Sequence, residues 1–101
     1  MREFYAGVLG MTEIDKPEAL RARGGAWFRA GSAEIHLGIE DGFAPARKAH
    51  PGLAVTDLDA LAARVEAVGA PVLWDDNIPG LRRFHTEDPV GNRLEFQQAT
   101  R

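Results

Sequence analysis

There is no cysteine among the 101 residues. Disulfides, thiolate nucleophiles and cysteine-bound zinc are excluded, and the absence fits a cytoplasmic setting. Histidine is scarce as well, so a metal would have to be held by His36, His50, His85, a carboxylate, an amide or water. No apolar run approaches the ~20 residues that cross a bilayer, and none reads as the core of a signal peptide, which argues against a membrane partner. Positive charge is not in excess either. Twelve Lys and Arg against 15 Asp and Glu leave a net charge of −3, whereas a nucleic-acid partner demands a concentrated basic face. What remains is 45% hydrophobic and 27% charged, the composition of one globular domain with a modest core.

The clearest helix begins at Asp57 and runs to about Val68. Asp57, or Thr56, is placed to cap the free N–H groups of its first turn. Leu58, Leu61, Ala62 and Val65 fall at i, i+3, i+4 and i+7 and form one apolar stripe. Gly69 suits the position just past the helix, and Pro71 prevents continuation. A shorter helix is expected in REFYAGVLG, ending at Gly10. Strands are expected at Met11–Ile14, Gly25–Ala30, Ala33–Ile39, Gly52–Thr56, Pro71–Trp74, Leu81–Thr86 and Arg93–Gln97. DPVG, Asp88 to Gly91, has the residue preferences of a type I turn.

Two halves repeat one unit, a helix ending in glycine followed by three strands. Aligning Gly10 with Gly69 gives an offset of 69 − 10 = 59 residues, which carries AEIHL onto NRLEF and His36 onto Glu95. Residues 1–40 form a first module, 41–49 a linker and 50–101 a second module. The second module opens with a strand, GLAVT, whose counterpart would precede residue 1, so the first module is expected to lack its opening strand.

Alternation within strands assigns the faces. If helices cover the face carrying Phe28, Ile35, Leu53, Leu73, Phe84, Leu94 and Phe96, the other carries Trp27, His36, His50, Trp74, Arg83, His85, Glu95 and Gln97. Two tryptophans among polar side chains suggest the wall of a pocket rather than a solvated surface. A slip of one residue in any strand would reverse its assignment.

FYAGVLGM, AEIHL, HPGLAVTDLDAL and DPVGNRLEF together resemble the vicinal oxygen chelate superfamily of glyoxalases, bleomycin-resistance proteins and extradiol dioxygenases. The resemblance implies an α+β fold of paired βαβββ modules around a divalent ion, here with the first strand missing. It places metal ligands at His50 and Glu95, and puts His36 where glyoxalase I carries a glutamate. The ion would be nickel, zinc, iron or manganese, since two imidazoles and a carboxylate suit a borderline cation. Glu95 would double as the catalytic proton carrier, and Trp27, Trp74, Arg83 and His85 would line the substrate pocket.

The expected function is that of a metal-dependent lyase, isomerase or dioxygenase-like enzyme acting on a small oxygen-rich substrate. The alternatives are a metal-free protein that sequesters an antibiotic or other flat aromatic ligand, and an inactive relative. An uncovered sheet edge predicts a homodimer, with strands or modules exchanged between chains.

Overall fold

The computed structural model describes residues 1–99. They form two compact units, the first spanning Met1–Ala44 and the second beginning at Pro45. The mixed helix-and-sheet architecture is the α+β class expected from the sequence.

The first unit opens on a π-helical turn, Glu3–Val8, rather than an α-helix. Leu9 N–H closes it by donating to the carbonyl of Phe4, five residues back, at 2.9 Å. This wider turn buries the adjacent Phe4 and Tyr5 together, and Tyr5 stacks on Phe28 with ring centroids 5.3 Å apart. Strands β1 (Thr12–Ile14), β2 (Ala26–Ala30) and β3 (Ala33–Leu37) form an antiparallel sheet in that order. A one-turn helix, α1 (Glu18–Arg21), interrupts the β1–β2 connection. It has no apolar stripe to reveal it in the sequence and buries no residue. Its start is set by Pro17, whose carbonyl accepts from Leu20 N–H at 2.8 Å.

The second unit carries β4 (Gly52–Ala54), α2 (Leu58–Ala67), β5 (Leu73–Asp75), β6 (Leu81–Glu87) and β7 (Arg93–Ala99). Its sheet runs β4-β7-β6-β5, with β4 parallel to β7 and the other pairs antiparallel. Helix α2 buries Leu58, Leu61, Ala62 and Val65, the stripe read from spacing. Asp57 caps it, accepting from Ala60 N–H at 3.1 Å. At the far end Gly69 takes φ +80°, and Ala70 N–H donates back to Val65 at 3.3 Å. That bond satisfies a carbonyl that the helix end would otherwise leave orphaned. Val65, Phe84, Leu94 and Phe96 are nearly fully enclosed and make the core of this unit.

The β6–β7 hairpin turns at Asp88–Gly91, where Gly91 N–H donates to the Asp88 carbonyl at 2.9 Å. The Asp88 carboxylate accepts from the N–H groups of Val90 and Asn92 and from the Asn92 amide. This turn fixes the register, and directly opposed residues of an antiparallel pair point to the same face of the sheet. His85 is thereby set opposite Glu95, and Arg83 opposite Gln97.

One facing assignment is corrected. Trp74 pairs with Phe84, whereas Leu73 pairs with His85 and Asp75 with Arg83. The indole therefore lies on the Phe84 side of the sheet, its ring 5.3 Å from that of Phe84. The Arg82 guanidinium sits 5.0 Å over it and forks onto Asp59 of α2. Three residues of an edge strand carry too little alternation to determine a face, and the indole covers Phe84 more effectively than Leu73 would. Leu73 is instead 63% exposed.

Candidate metal centre

Four side chains of the second unit meet on the face of the β4-β7-β6-β5 sheet opposite the Phe84 side. Glu95 lies at the middle of β7, flanked by β6 on one side and β4 on the other. β6 places His85 directly across from it. β4 places Gly52 beside it, and the chain entering β4 brings His50 over the carboxylate. Gly52 leaves room above the carboxylate, and it has no positive φ to explain it. A Cβ there would stand 3.1 Å from the Gln97 amide nitrogen and 4.0 Å from the Glu95 carboxyl carbon.

The distances define a compact centre. His50 Nε2 lies 2.9 Å from Glu95 Oε1, and His85 Nε2 lies 3.3 Å from the same oxygen. Arg83 Nη1 donates to Oε1 at 3.0 Å and Arg83 Nη2 donates to Asp75 Oδ2 at 2.7 Å. The second carboxylate oxygen, Oε2, accepts from the Gln97 amide at 2.9 Å. Glu95 and His85 are buried, while Arg83 and His50 are partly open. The rings of His50 and His85 meet edge to face, with centroids 5.0 Å apart.

Burial alone would push the Glu95 carboxyl up, but hydrogen bonds from His50 and Arg83 and the positive field of Arg83 outweigh it and hold it below the ordinary range. Burial, reinforced by Arg93, His50 and Arg83, pushes His85 down and keeps its ring neutral, against a smaller opposing pull from Glu95.

The tautomer of His50 follows from its partners. Nδ1 lies 2.6 Å from the Lys48 carbonyl, which can only accept, so Nδ1 carries a proton. Nε2 faces an ionised carboxylate oxygen that also only accepts. The ring is thereby turned so that Nε2 lies 2.9 Å from Glu95 Oε1. A backbone carbonyl on the far nitrogen is the usual device that aims a histidine at a metal.

His50, His85 and Glu95 form a group able to hold an ion, each offering a ligand atom, all within 4.8 Å of one another. Donors about 2.1 Å from an ion stand about 3.0 Å apart at right angles and about 3.4 Å apart at tetrahedral angles. The two histidine–carboxylate separations, 2.9 and 3.3 Å, match those edges. Two imidazoles and one carboxylate are also the donor set expected for a borderline divalent metal.

Of the residues singled out in the sequence, His50, His85, Arg83 and Glu95 come together here. His36 and Trp27 belong to the first unit, where they are cross-strand partners stacked with centroids 3.5 Å apart and planes 3° apart. His36 Nε2 lies 3.2 Å from Glu34, whose carboxyl is held below its ordinary value first by that bond and then by Arg29. Trp74 lies on the other face from His85 and Arg83. Asp75 and the Lys48 carbonyl were not singled out. Counting back from the DPVG turn would have found the pairing of His85 with Glu95, but nothing local marks Asp75.

The family model of the glyoxalase-like domain matches residues 1–96. A crystal structure described as a glyoxalase family protein from Bacillus anthracis is 43% identical, with a TM-score of 0.93, covering 98% of this chain and 81% of that one. An antibiotic binding protein from a Streptomyces species is 26% identical, TM-score 0.71, over 98% of this chain and 84% of its own. A lactoylglutathione lyase from Agrobacterium tumefaciens shares the fold at 22% identity, TM-score 0.70, over 95% of this chain and 81% of its own. No curated protein matches the chain. The chain therefore belongs to the glyoxalase-like domain family.

Proposed function

We propose that the protein is a metal-dependent enzyme of the glyoxalase type, a lyase, isomerase or dioxygenase acting on a small oxygen-rich substrate. His50, His85 and Glu95 would hold a divalent ion, a role that the family resemblance also gives to His36. The convergence of two imidazole nitrogens on one buried carboxylate oxygen carries the reading, with His50 aimed by the Lys48 carbonyl. When bound, such an ion supplies Lewis-acid polarisation of substrate oxygens. Glu95 would accept and return a substrate proton at Oε2, the oxygen that the Gln97 amide holds. Burial disfavours the charged ring of His85, so binding an ion there would need a change of tautomer rather than the loss of a second proton. Trp27 and Arg83 are the further candidates for substrate contact.

A second reading has specific support. Glu95 is already neutralised by Arg83, and two relatives at 26% identity are an antibiotic binding protein and a glyoxalase/bleomycin resistance protein. In that reading the chain binds a small molecule without metal or turnover. A homodimer belongs to either proposal, with the open edges of the two sheets as its support; a monomer by light scattering at micromolar concentration would refute it.

Metal analysis of the purified protein, loaded in turn with nickel, zinc, iron and manganese, separates the two. The enzyme reading expects about one ion per chain, lost in His50→Ala and Glu95→Ala variants that still fold. No bound ion and no metal-dependent thermal shift would favour the binding protein.

A further inference from the structure

Arg83 is the one member of the centre that no metal-binding role explains. Its guanidinium donates one nitrogen to Glu95 Oε1 and another to Asp75 Oδ2, and side-chain exposures of 19% and 21% put Arg83 and Asp75 mostly out of water. Its third nitrogen, Nε, is buried with no hydrogen-bond partner among the described residues. The fork is therefore held by the two carboxylates and by little else. Oε1 is also the oxygen on which His50 and His85 converge, so the arginine and a divalent ion need the same lone pairs. A guanidinium and a divalent cation on one oxygen repel strongly in a partly desolvated site.

We propose that Arg83 is a built-in competitor for the metal: it holds Glu95 in the metal-free protein and withdraws onto Asp75 when an ion enters. This rests on the reading of His50, His85 and Glu95 as ligands. Asp75 is suited to receive the fork, since the Asn77 N–H already fixes its Oδ1 at 2.8 Å and leaves Oδ2 directed to Arg83. The pair gives the centre a threshold. Cations too weakly bound to displace a guanidinium are excluded, and Glu95 never stands as an uncompensated buried charge. Asp75 and Arg83 are in this account positioning residues, which set metal affinity without contacting the ion.

The two residues then have opposite effects, which a purely structural role would not produce. Apo protein is titrated with zinc and with nickel at pH 7.5 against a chromophoric chelator, and each variant's fold is checked by its thermal melt. Arg83→Gln removes the competitor and should tighten binding by about 10- to 100-fold, the range that residues around a metal's ligands command. Arg83→Lys keeps the charge and should stay much closer to wild type. Asp75→Asn removes the refuge and should weaken binding by about 10-fold. If Arg83→Gln does not fold, Asp75→Asn decides, and unchanged or tighter binding there overturns the proposal. Weaker binding in both variants, or no change in either, also overturns it. Wild-type binding with unresponsive variants defeats this inference while leaving the metal centre intact. A wild type that takes no metal beside an Arg83→Gln variant that does would support it while defeating the proposed function.

Discussion

Thr86 sits on β6 at 1% exposure, directly opposite Leu94, and its Oγ1 is buried without a hydrogen-bond partner among the described residues. A hydroxyl in that position has given up water and received nothing in exchange. Mutational data place the cost of such a group at about 1–3 kcal/mol. Thr86→Val replaces the oxygen with a methyl of nearly the same size, so no cavity opens and the β-branched shape stays. The added methyl meets Leu94 and contributes up to about 0.8 kcal/mol. We expect a gain of about 1–2 kcal/mol, near the low end because neighbouring groups relax toward an unpaired hydroxyl. At about 4–8 °C per kcal/mol for a domain of this size, the melting temperature should rise by roughly 5–15 °C. Urea titration should show a higher midpoint with an unchanged slope. Thr86→Ser, which keeps the hydroxyl and loses the methyl, should move the midpoint the other way. A Thr86→Val variant less stable than wild type would show the hydroxyl to be satisfied and the account of this strand to be wrong.

Other consequences are equally direct. In the metal-free protein His85 is held below its ordinary value of 6.5 and Glu95 below 4.5. Both groups bind protons more readily unfolded than folded, so stability falls with acidification, first below about pH 6.5 and again below about pH 4.5. Urea midpoints at pH 5, 6 and 7 in the presence of EDTA should rise in that order, and a flat profile would refute the placement of His85. Gly52→Ala sets a Cβ 3.1 Å from the flexible Gln97 amide. The strand gains about 0.4–1 kcal/mol of backbone entropy while Gln97 shifts, so stability should change by less than about 1 kcal/mol. Gly52→Val has no such room and should weaken metal binding at least several-fold, read by the same chelator titration. Val65→Ala on α2 should cost about 2 kcal/mol in urea, whereas exposed Val68→Ala should cost almost nothing.

Much of the fold could be read locally because its signals are local. The stripe Leu58, Leu61, Ala62, Val65 needs only helical spacing, Asp57 and Gly69 mark its ends, and the DPVG turn needs only four residues. Glu95 and His50 were identified by the repeat and the family pattern, and His85 by alternation within a seven-residue strand. The errors fall where local signal is thin. The face of Trp74 depends on three residues of an edge strand, and α1 is a single turn with nothing to bury. The π-helical character of Glu3–Val8 reflects the packing of Phe4 and Tyr5, which spacing alone does not reveal. Asp75 and the Lys48 carbonyl join the centre through pairings across the sheet and a loop. Their partners lie eight residues away for Asp75 and two for Lys48, and no motif announces either.

The central claim is that His50, His85 and Glu95 hold a divalent ion. Anomalous diffraction at the zinc edge, on crystals grown with zinc, tests it most directly. The account predicts one strong peak about 2.0–2.2 Å from His50 Nε2, His85 Nε2 and a Glu95 oxygen, with the Arg83 fork moved wholly onto Asp75. No peak at this centre, with Arg83 still bound to Glu95 Oε1 in zinc-saturated crystals, would contradict it.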